Sequence, residues 1–231
     1  MGAPFEFSYV MDYFVKLLPT ISTTLLIVAS AMVLGLIISS IAALPQMYNI
    51  PVLKQLSKLY VSFFRGTPIL IQLFLFYYGV PEILGLFGIH ANRAPAIYFV
   101  IMTYSLHSGA FMVEMIRASV ASVDRGQVEA AYAMGMSGPQ AFFRIVLPQA
   151  YVTALPIFAN MVIGSLKDTS LAFSVGVMEM TGKSSTLATI SRHFIEAYIS
   201  LALIYFVLSF VLERVFHVLE RKVQKRGFAP I

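Results

Sequence analysis

Cysteine is absent from this chain of 231 residues. That excludes disulfides, thiolate metal sites and cysteine nucleophiles, and leaves the compartment open. Charge is scarce as well. Asp, Glu, Lys and Arg make up 12% of the sequence, about half of the roughly 25% in a soluble domain. Too little polar surface remains to cover a water-facing globule. Acids are the scarcer sign, 11 against 16 Lys and Arg, for a net charge of +5 and a pI near 9.4. Such a balance can mark a nucleic-acid binder, but no basic patch with interleaved aromatics is present. Membrane proteins collect Lys and Arg on their cytoplasmic side, which accounts for the same excess. The start, Met1-Gly2-Ala3-Pro4-Phe5-Glu6, lacks the Ser or Thr of the myristoylation pattern. No basic-then-apolar segment with a small-residue cleavage site precedes the first apolar run, so no removable signal peptide is expected.

Apolar residues are what the chain has in quantity: 58% of the sequence and a mean hydropathy of +0.81. They fall into runs at about 19–44, 59–80, 94–116, 149–166 and 194–213. Lys16 and Pro45 bound the first, and Gly79 and Pro81 break the second. Roughly 18 apolar residues cross a bilayer core of about 30 Å as a helix, and a helix keeps its backbone hydrogen bonds internal. The sequence therefore predicts one all-α polytopic membrane domain over residues 1–231, with about five transmembrane helices. The stretch 171–190 turns rich in Ser, Thr and Gly, which predicts a short re-entrant or surface helix. Phe63-Phe64 and Tyr77-Tyr78 fall near the ends of the second run, as interface anchors do. The twelve Met residues are scattered and read as apolar packing.

Five spans put the chain ends on opposite sides. With the N-terminus outside, the inner segments hold Lys54, Lys58, Arg65, Arg117, Arg125, Arg144, Arg214, Arg221, Lys222, Lys225 and Arg226. The outer ones hold Lys16, Arg93, Lys167, Lys183 and Arg192. Eleven against five favours an external N-terminus and a cytoplasmic C-terminus. The basic tail 221–226 is part of this anchor.

Between the third and fourth runs lies a polar loop, about 122–148. Ala130, Ala131, Ala133 and Met134 favour helix, while Gly135 and Gly138-Pro139 break it. A second short helix is expected at about 139–145, leading into Leu147-Pro148. So short a pair needs a partner to bury its apolar side. Ala130, Ala131 and Gly135 are small enough to let another surface approach.

Glu129-Ala130-Ala131, then Gly135, then Ile145, Leu147 and Pro148 resemble the EAA loop of ABC importer permeases at every spaced position. Phe63-Phe64-Arg65-Gly66-Thr67-Pro68-Ile69-Leu70-Ile71-Gln72 is similar to the start of the second span in the polar amino-acid branch (histidine, glutamine, arginine and cystine types). Lys167-Asp168-Thr169-Ser170-Leu171, after Leu155-Pro156 and Asn160, is similar to the exit of its fourth span. The resemblance covers nearly the whole chain. It implies that the loop is a coupling helix docking on an ATP-binding subunit. It implies a bacterial plasma-membrane importer of five-helix subunits, paired as a homodimer or heterodimer above two ATPases. An extracellular or periplasmic binding protein would deliver the amino acid. ATP and Mg would then be held by the partner ATPase, with no cofactor and no metal on this chain. Cystine, glutamine and basic amino acids all remain open as substrates. Membrane lipid is an expected partner, and nucleic acid is not.

Thr181-Gly182-Lys183-Ser184 imitates the end of a phosphate-binding loop. Five residues separate it from Gly176 where that pattern has four, and no strand-then-helix unit flanks it. It reads as a loop on the outer side, so ATP hydrolysis belongs to another chain.

A charge at the centre of a membrane helix costs roughly 2.5–3.5 kcal/mol on insertion scales, so each needs a reason. Glu114 and Arg117 share a helix face and read as an ion pair, or Glu114 as a contact for the substrate's amino group or a gate. His107, with Tyr104 and Ser105 beside it, is a packing residue or lines the path. Lys167 and Asp168, with Thr169 and Ser170, either snorkel to the outer interface or serve a zwitterionic amino acid as gate or lining. Asn160 suits a hydrogen bond between helices.

Two other classes fit the sequence less well. An ion-gradient-driven secondary amino-acid transporter predicts inverted repeats, and no convincing repeat is found. A membrane enzyme needs a metal or nucleophile cluster, and His90, His107, His193 and His217 lack metal-ligand spacing.

Overall fold

The computed structural model describes residues 3–224, Asn92 by its backbone alone; Lys225 and Arg226 of the basic tail lie outside the described residues. The described residues are helical, without strands. By length and apolarity four helices can cross a membrane, or five if one bent pair counts as a span.

The first run forms α2 (Ile21–Met47), preceded through a 3-10 turn by α1 (Phe7–Leu17). Helix α1 escapes a search for apolar runs because it is amphipathic. It buries Val10, Tyr13 and Leu17, three and four apart on one face. Pro45 lies inside α2 rather than bounding it.

The second run is not one straight span. It divides into α3 (Pro51–Gly66) and α4 (Ile69–Gly85), turned by 113° at the break. Pro68 is the cause. It has no N–H to donate and forces Thr67 out of the helical region, to φ −122° and ψ 145°. The third run is α5 (Ala96–Ala121). The polar loop folds into α6 (Arg125–Ala133) and α7 (Gly138–Ala141). The expected second short helix does not end at 145. It passes through one π-turn, Phe142–Val146, directly into α8 (Leu147–Asp168). The wider turn absorbs the hydrogen bond that Pro148 cannot make.

After α8 a 3-10 turn, Thr169–Val175, ends at Gly176 with φ +85°, and α9 (Met180–Ser191) follows. The expected short helix within 171–190 is present. Thr181-Gly182-Lys183-Ser184 lies in its first turns and is helix, not loop. The last run is α10 (Phe194–Gln224), longer than expected by a polar extension beyond Glu213.

Helix α5 is the axis of the molecule. Its Val100, Tyr104 and Met112 share one core with Ile27 and Ala31 of α2, Leu73 of α4, and Val162 and Leu166 of α8. At Gly35 and Gly109 the backbones of α2 and α5 touch. A Cβ on Gly35 would stand 3.2 Å from Gly109 N and Ser105 O. Lipid tails give no hydrophobic drive between helices, so such close contact supplies the attraction.

Depth follows from α10. From Phe194 to Leu212 its outward residues carry no charge, and that length, about 28 Å, matches a bilayer core. Tyr205 lies about 16 Å along it, near the middle of that stretch. Its hydroxyl is 3.4 Å from Thr169 Oγ1. The end of α8 is therefore level with the middle of α10's apolar stretch. Further along, Phe158 of α8 packs on Phe216 of α10, beyond the apolar stretch. Helix α8 is thus shifted along its axis, and α9 completes the passage to the level where Tyr13 meets Ser191.

Candidate functional site

Two helix breaks meet the middle of α5 one turn apart. At the first, Gln72 is almost fully buried, with 1% exposure. Its Nε2 donates to Phe64 O at 2.8 Å, Thr67 O at 2.9 Å and Thr67 Oγ1 at 2.8 Å. These satisfy carbonyls that the break at Pro68 leaves without helical partners. Its Oε1 can only accept, so His107 donates to it from Nδ1, at 2.9 Å. Phe111 packs beside His107, and the Arg65 guanidinium lies over the Phe111 ring.

At the second break Tyr104, buried, donates its hydroxyl to the backbone carbonyl of Asp168. Thr169 is buried and turns its hydroxyl back to Leu166 O at 2.6 Å. Beneath them lies Glu179, fully buried. Its Oε1 accepts from Gly182 N at 2.9 Å, and its Oε2 accepts from Tyr205 at 3.3 Å. Thr181 Oγ1 is also within 3.3 Å of Tyr205. The carboxylate caps the N-terminus of α9, whose dipole favours negative charge. Sequence reasoning missed Glu179, Thr181 and Tyr205, because their contacts span 24 to 36 residues of chain. The signal that was available is Glu179 itself, an acid in an apolar stretch.

The remaining path candidates are spread out. Lys167 is exposed, and Asp168 and Ser170 are partly exposed, where α8 gives way to the 3-10 turn. Lys167 forms no ion pair among the described residues. Asn160 is exposed beside Glu213 and His217, in a cavity of about 240 Å³ between α8 and α10. Glu114 pairs with Arg117 through both carboxylate oxygens, at 3.1 and 3.2 Å, toward the α6 end of α5. Tyr104 faces the protein interior and lines nothing. No group of His, Asp and Glu among the described residues is placed to hold a metal.

The polar hairpin is the other feature. Helix α6 ends in two backbone bonds, Met136 N to Ala131 O at 3.0 Å and Gly135 N to Tyr132 O at 2.9 Å. That pattern needs a left-handed residue, and Gly135 supplies it with φ +80°. The Ser137 N–H donates to Gln140 Oε1 at 2.9 Å and opens α7. Gln149 reaches across from α8 to Gln127, and Val123, Val146 and Ala150 pack beneath. Ala131 is buried in this base, so it shapes the hairpin and offers no surface for approach. Glu129, Ala130 and Gly135 face outward, Leu147 is exposed, and Ile145 and Pro148 are partly covered. Around the tip Tyr132, Met134 and Phe143 are 53%, 82% and 64% exposed. Large apolar side chains on a polar loop mark a surface meant for a partner.

Long apolar helices, one run of them sharply bent, and a polar hairpin with an exposed apolar tip define a class: a polytopic membrane transport subunit. The chain belongs to the family of binding-protein-dependent transport system inner membrane components, whose pattern matches residues 31–225. It is 47% identical over 225 residues, 97% of this chain and 94% of the relative, to the L-cystine transport system permease protein TcyL of Bacillus subtilis (strain 168). It is 43% identical to the probable amino-acid ABC transporter permease protein PatM of Vibrio harveyi, over 96% of this chain and 97% of that one. Among solved structures, an amino acid ABC transporter crystallised with histidines superposes with a TM-score of 0.85 at 29% identity, covering 95% of this chain and 100% of that chain. The inward-facing MetNI methionine transporter, 18% identical and covering 92% and 97%, shares the fold with a TM-score of 0.71. The chain is thus a bacterial, multi-pass inner-membrane permease subunit of the amino-acid ABC importers. It is the transport subunit and not the ATPase. The partners of such subunits are an ATPase pair, a second permease subunit and a substrate-binding protein.

Proposed function

We propose that this permease imports a polar amino acid by alternating access, with L-cystine the first candidate, since TcyL is named for it. The N-terminus lies outside and the C-terminus inside. The hairpin around Glu129, Ala130 and Gly135, with Ile145, Leu147 and Pro148 at its base, docks on the ATPase as the coupling helix; Ala131 holds it in shape. The exposed apolar tip supports that docking. The path runs past Lys167, Asp168, Thr169 and Ser170, with Asn160, Glu114 and His107 along its wall and Tyr104 behind it.

One observation supports the path: Lys167, exposed and unpaired among the described residues, stands at an α8 end level with the middle of α10's apolar stretch, where contact with lipid would make its charge costly. Facing a water-filled cavity and the second permease subunit removes that cost. A zwitterion passing there meets an ammonium and a carboxyl from adjacent residues. The mechanism needs no chemistry from this chain. Nucleotide binding to the partner favours one arrangement of the breaks, and substrate shifts the balance only by its differential affinity for the two arrangements.

The test is to purify the chain with its co-purifying partners, reconstitute the complex, and screen amino acids for stimulation of ATP hydrolysis. Cystine-stimulated hydrolysis with ATP-dependent uptake is expected. Uptake that persists after ATP depletion under a clamped ion gradient would sink the reading.

A further inference from the structure

The two breaks and the hairpin are served by one rigid element. Helix α5 runs 26 residues without a proline or a break and leads through Ser122–Asp124 into α6. Its base is joined to the hairpin by Val120 and Val123, which pack with Val128, Phe142, Val146 and Ala150. Halfway along, between Tyr104 and Gly109, four other helices are fastened to it. The Tyr104 hydroxyl holds Asp168 O, and His107 holds Gln72. Tyr60 of α3 donates to Leu106 O at 2.6 Å. Gly109 meets Gly35 of α2 backbone to backbone.

A straight helix transmits displacement along its axis with little loss, because its i to i−4 bonds resist stretching. A break does not: its φ and ψ angles are free to absorb rotation, as hinges do. From this placement we infer that α5 is the rod that carries motion from the hairpin to both mid-membrane breaks. Tyr104 and His107 are its two attachment points. They are positioning residues that act through Asp168 and Gln72 and need not touch substrate. The inference rests on the proposed docking of the hairpin.

Two contacts one turn apart give the rod a specific property. Whatever shift α5 makes, the α3–α4 break and the α8–α9 break receive it together. One wall of the path cannot then open while the other stays closed.

The test uses the reconstituted complex with L-cystine and measures molecules transported per ATP hydrolysed. Tyr104→Phe removes one hydroxyl, and His107→Leu removes one donor. Each is expected to lower that ratio at least threefold, and Tyr104→Phe, whose side chain lines nothing, to do so with KM unchanged. His107→Gln, whose amide can donate to Gln72, is expected to restore at least half of it. A wild-type ratio in both Tyr104→Phe and His107→Leu overturns the inference. Glu129→Arg in the same assay separates the layers. If it lowers the ratio while Tyr104→Phe does not, transmission fails and docking stands. If Glu129→Arg leaves the ratio intact, docking itself fails.

A second measurement covers poor folding of the variants. The native chain has no cysteine, so spin labels on Met134→Cys and Phe173→Cys report one distance cleanly. Because hairpin and break move as one on an intact rod, nucleotide is expected to leave that distance nearly unchanged in the otherwise native chain and to shift it once Tyr104→Phe is added. The same shift in both chains overturns the inference.

Discussion

The Tyr205 hydroxyl lies 3.3 Å from the Glu179 carboxylate, deep among apolar helices and with no cation within salt-bridge range among the described residues. The pair ties α10 to the first turn of α9 just where α8 has ended. A buried acid supported by neutral donors alone is expensive, and a fully hydrogen-bonded one is much less so. The arrangement explains why an acid is tolerated here: its oxygens replace the helical partners that the break removes.

Glu179→Gln should therefore be mild, because an amide oxygen still accepts from Gly182. Glu179→Leu removes the cap, at a cost of about 0.5–2 kcal/mol, and leaves Tyr205 without its acceptor. Thermal unfolding in detergent checks this. The Leu variant is expected to melt several degrees lower, at about 2–4 °C per kcal/mol for a chain of this size. Equal melting of the two variants would make the carboxylate irrelevant to α9.

Glu129 is exposed and makes no hydrogen bond through its side chain among the described residues, so Glu129→Arg should leave folding intact. Cystine uptake is expected to fall at least tenfold, while the complex hydrolyses ATP without transport. Normal stimulated uptake would show that nothing docks at this residue.

Lys167→Ala removes a charge from a depth where insertion scales assign it roughly 2.5–3.5 kcal/mol. Melting temperature is expected to hold or rise. KM for uptake is expected to rise about tenfold, which is about 1.4 kcal/mol of lost binding. An unchanged KM would take Lys167 out of the path.

Gly135 has φ +80° with open space where a Cβ would stand, so the obstacle to substitution is backbone conformation alone. Gly135→Asn should be tolerated, since Asn visits the left-handed region. Gly135→Val should cost at least the roughly 1–2 kcal/mol of placing a side chain there. Amide exchange at Tyr132–Met136 reads the difference, with faster exchange expected in the Val variant. Equal exchange would mean that the turn is not held by Gly135.

Much of the fold was legible along the chain. Runs of apolar residues located four of the crossing helices, because a helix in lipid satisfies its own backbone and needs only length. The hairpin was legible for a similar reason, since Gly135 and Pro139 act on the backbone locally. The sharp bend inside the second run was not foreseen. Hydropathy averages over Gly66-Thr67-Pro68 and does not see the 113° turn there. Amphipathic α1 went unseen because half of its face is polar or exposed.

Composition and local pattern alone determined that the chain is a bundle of apolar helices long enough to cross a membrane, and where a polar hairpin interrupts them. They could do so because hydropathy, proline and glycine act over a few residues. Only the tertiary structure decided which helix ends lie level with one another, and that α5 fastens both breaks. Those facts rest on bonds between residues 35 to 64 positions apart, such as His107 with Gln72 and Tyr104 with Asp168. No local rule encodes a bond between side chains that meet only after the helices have packed.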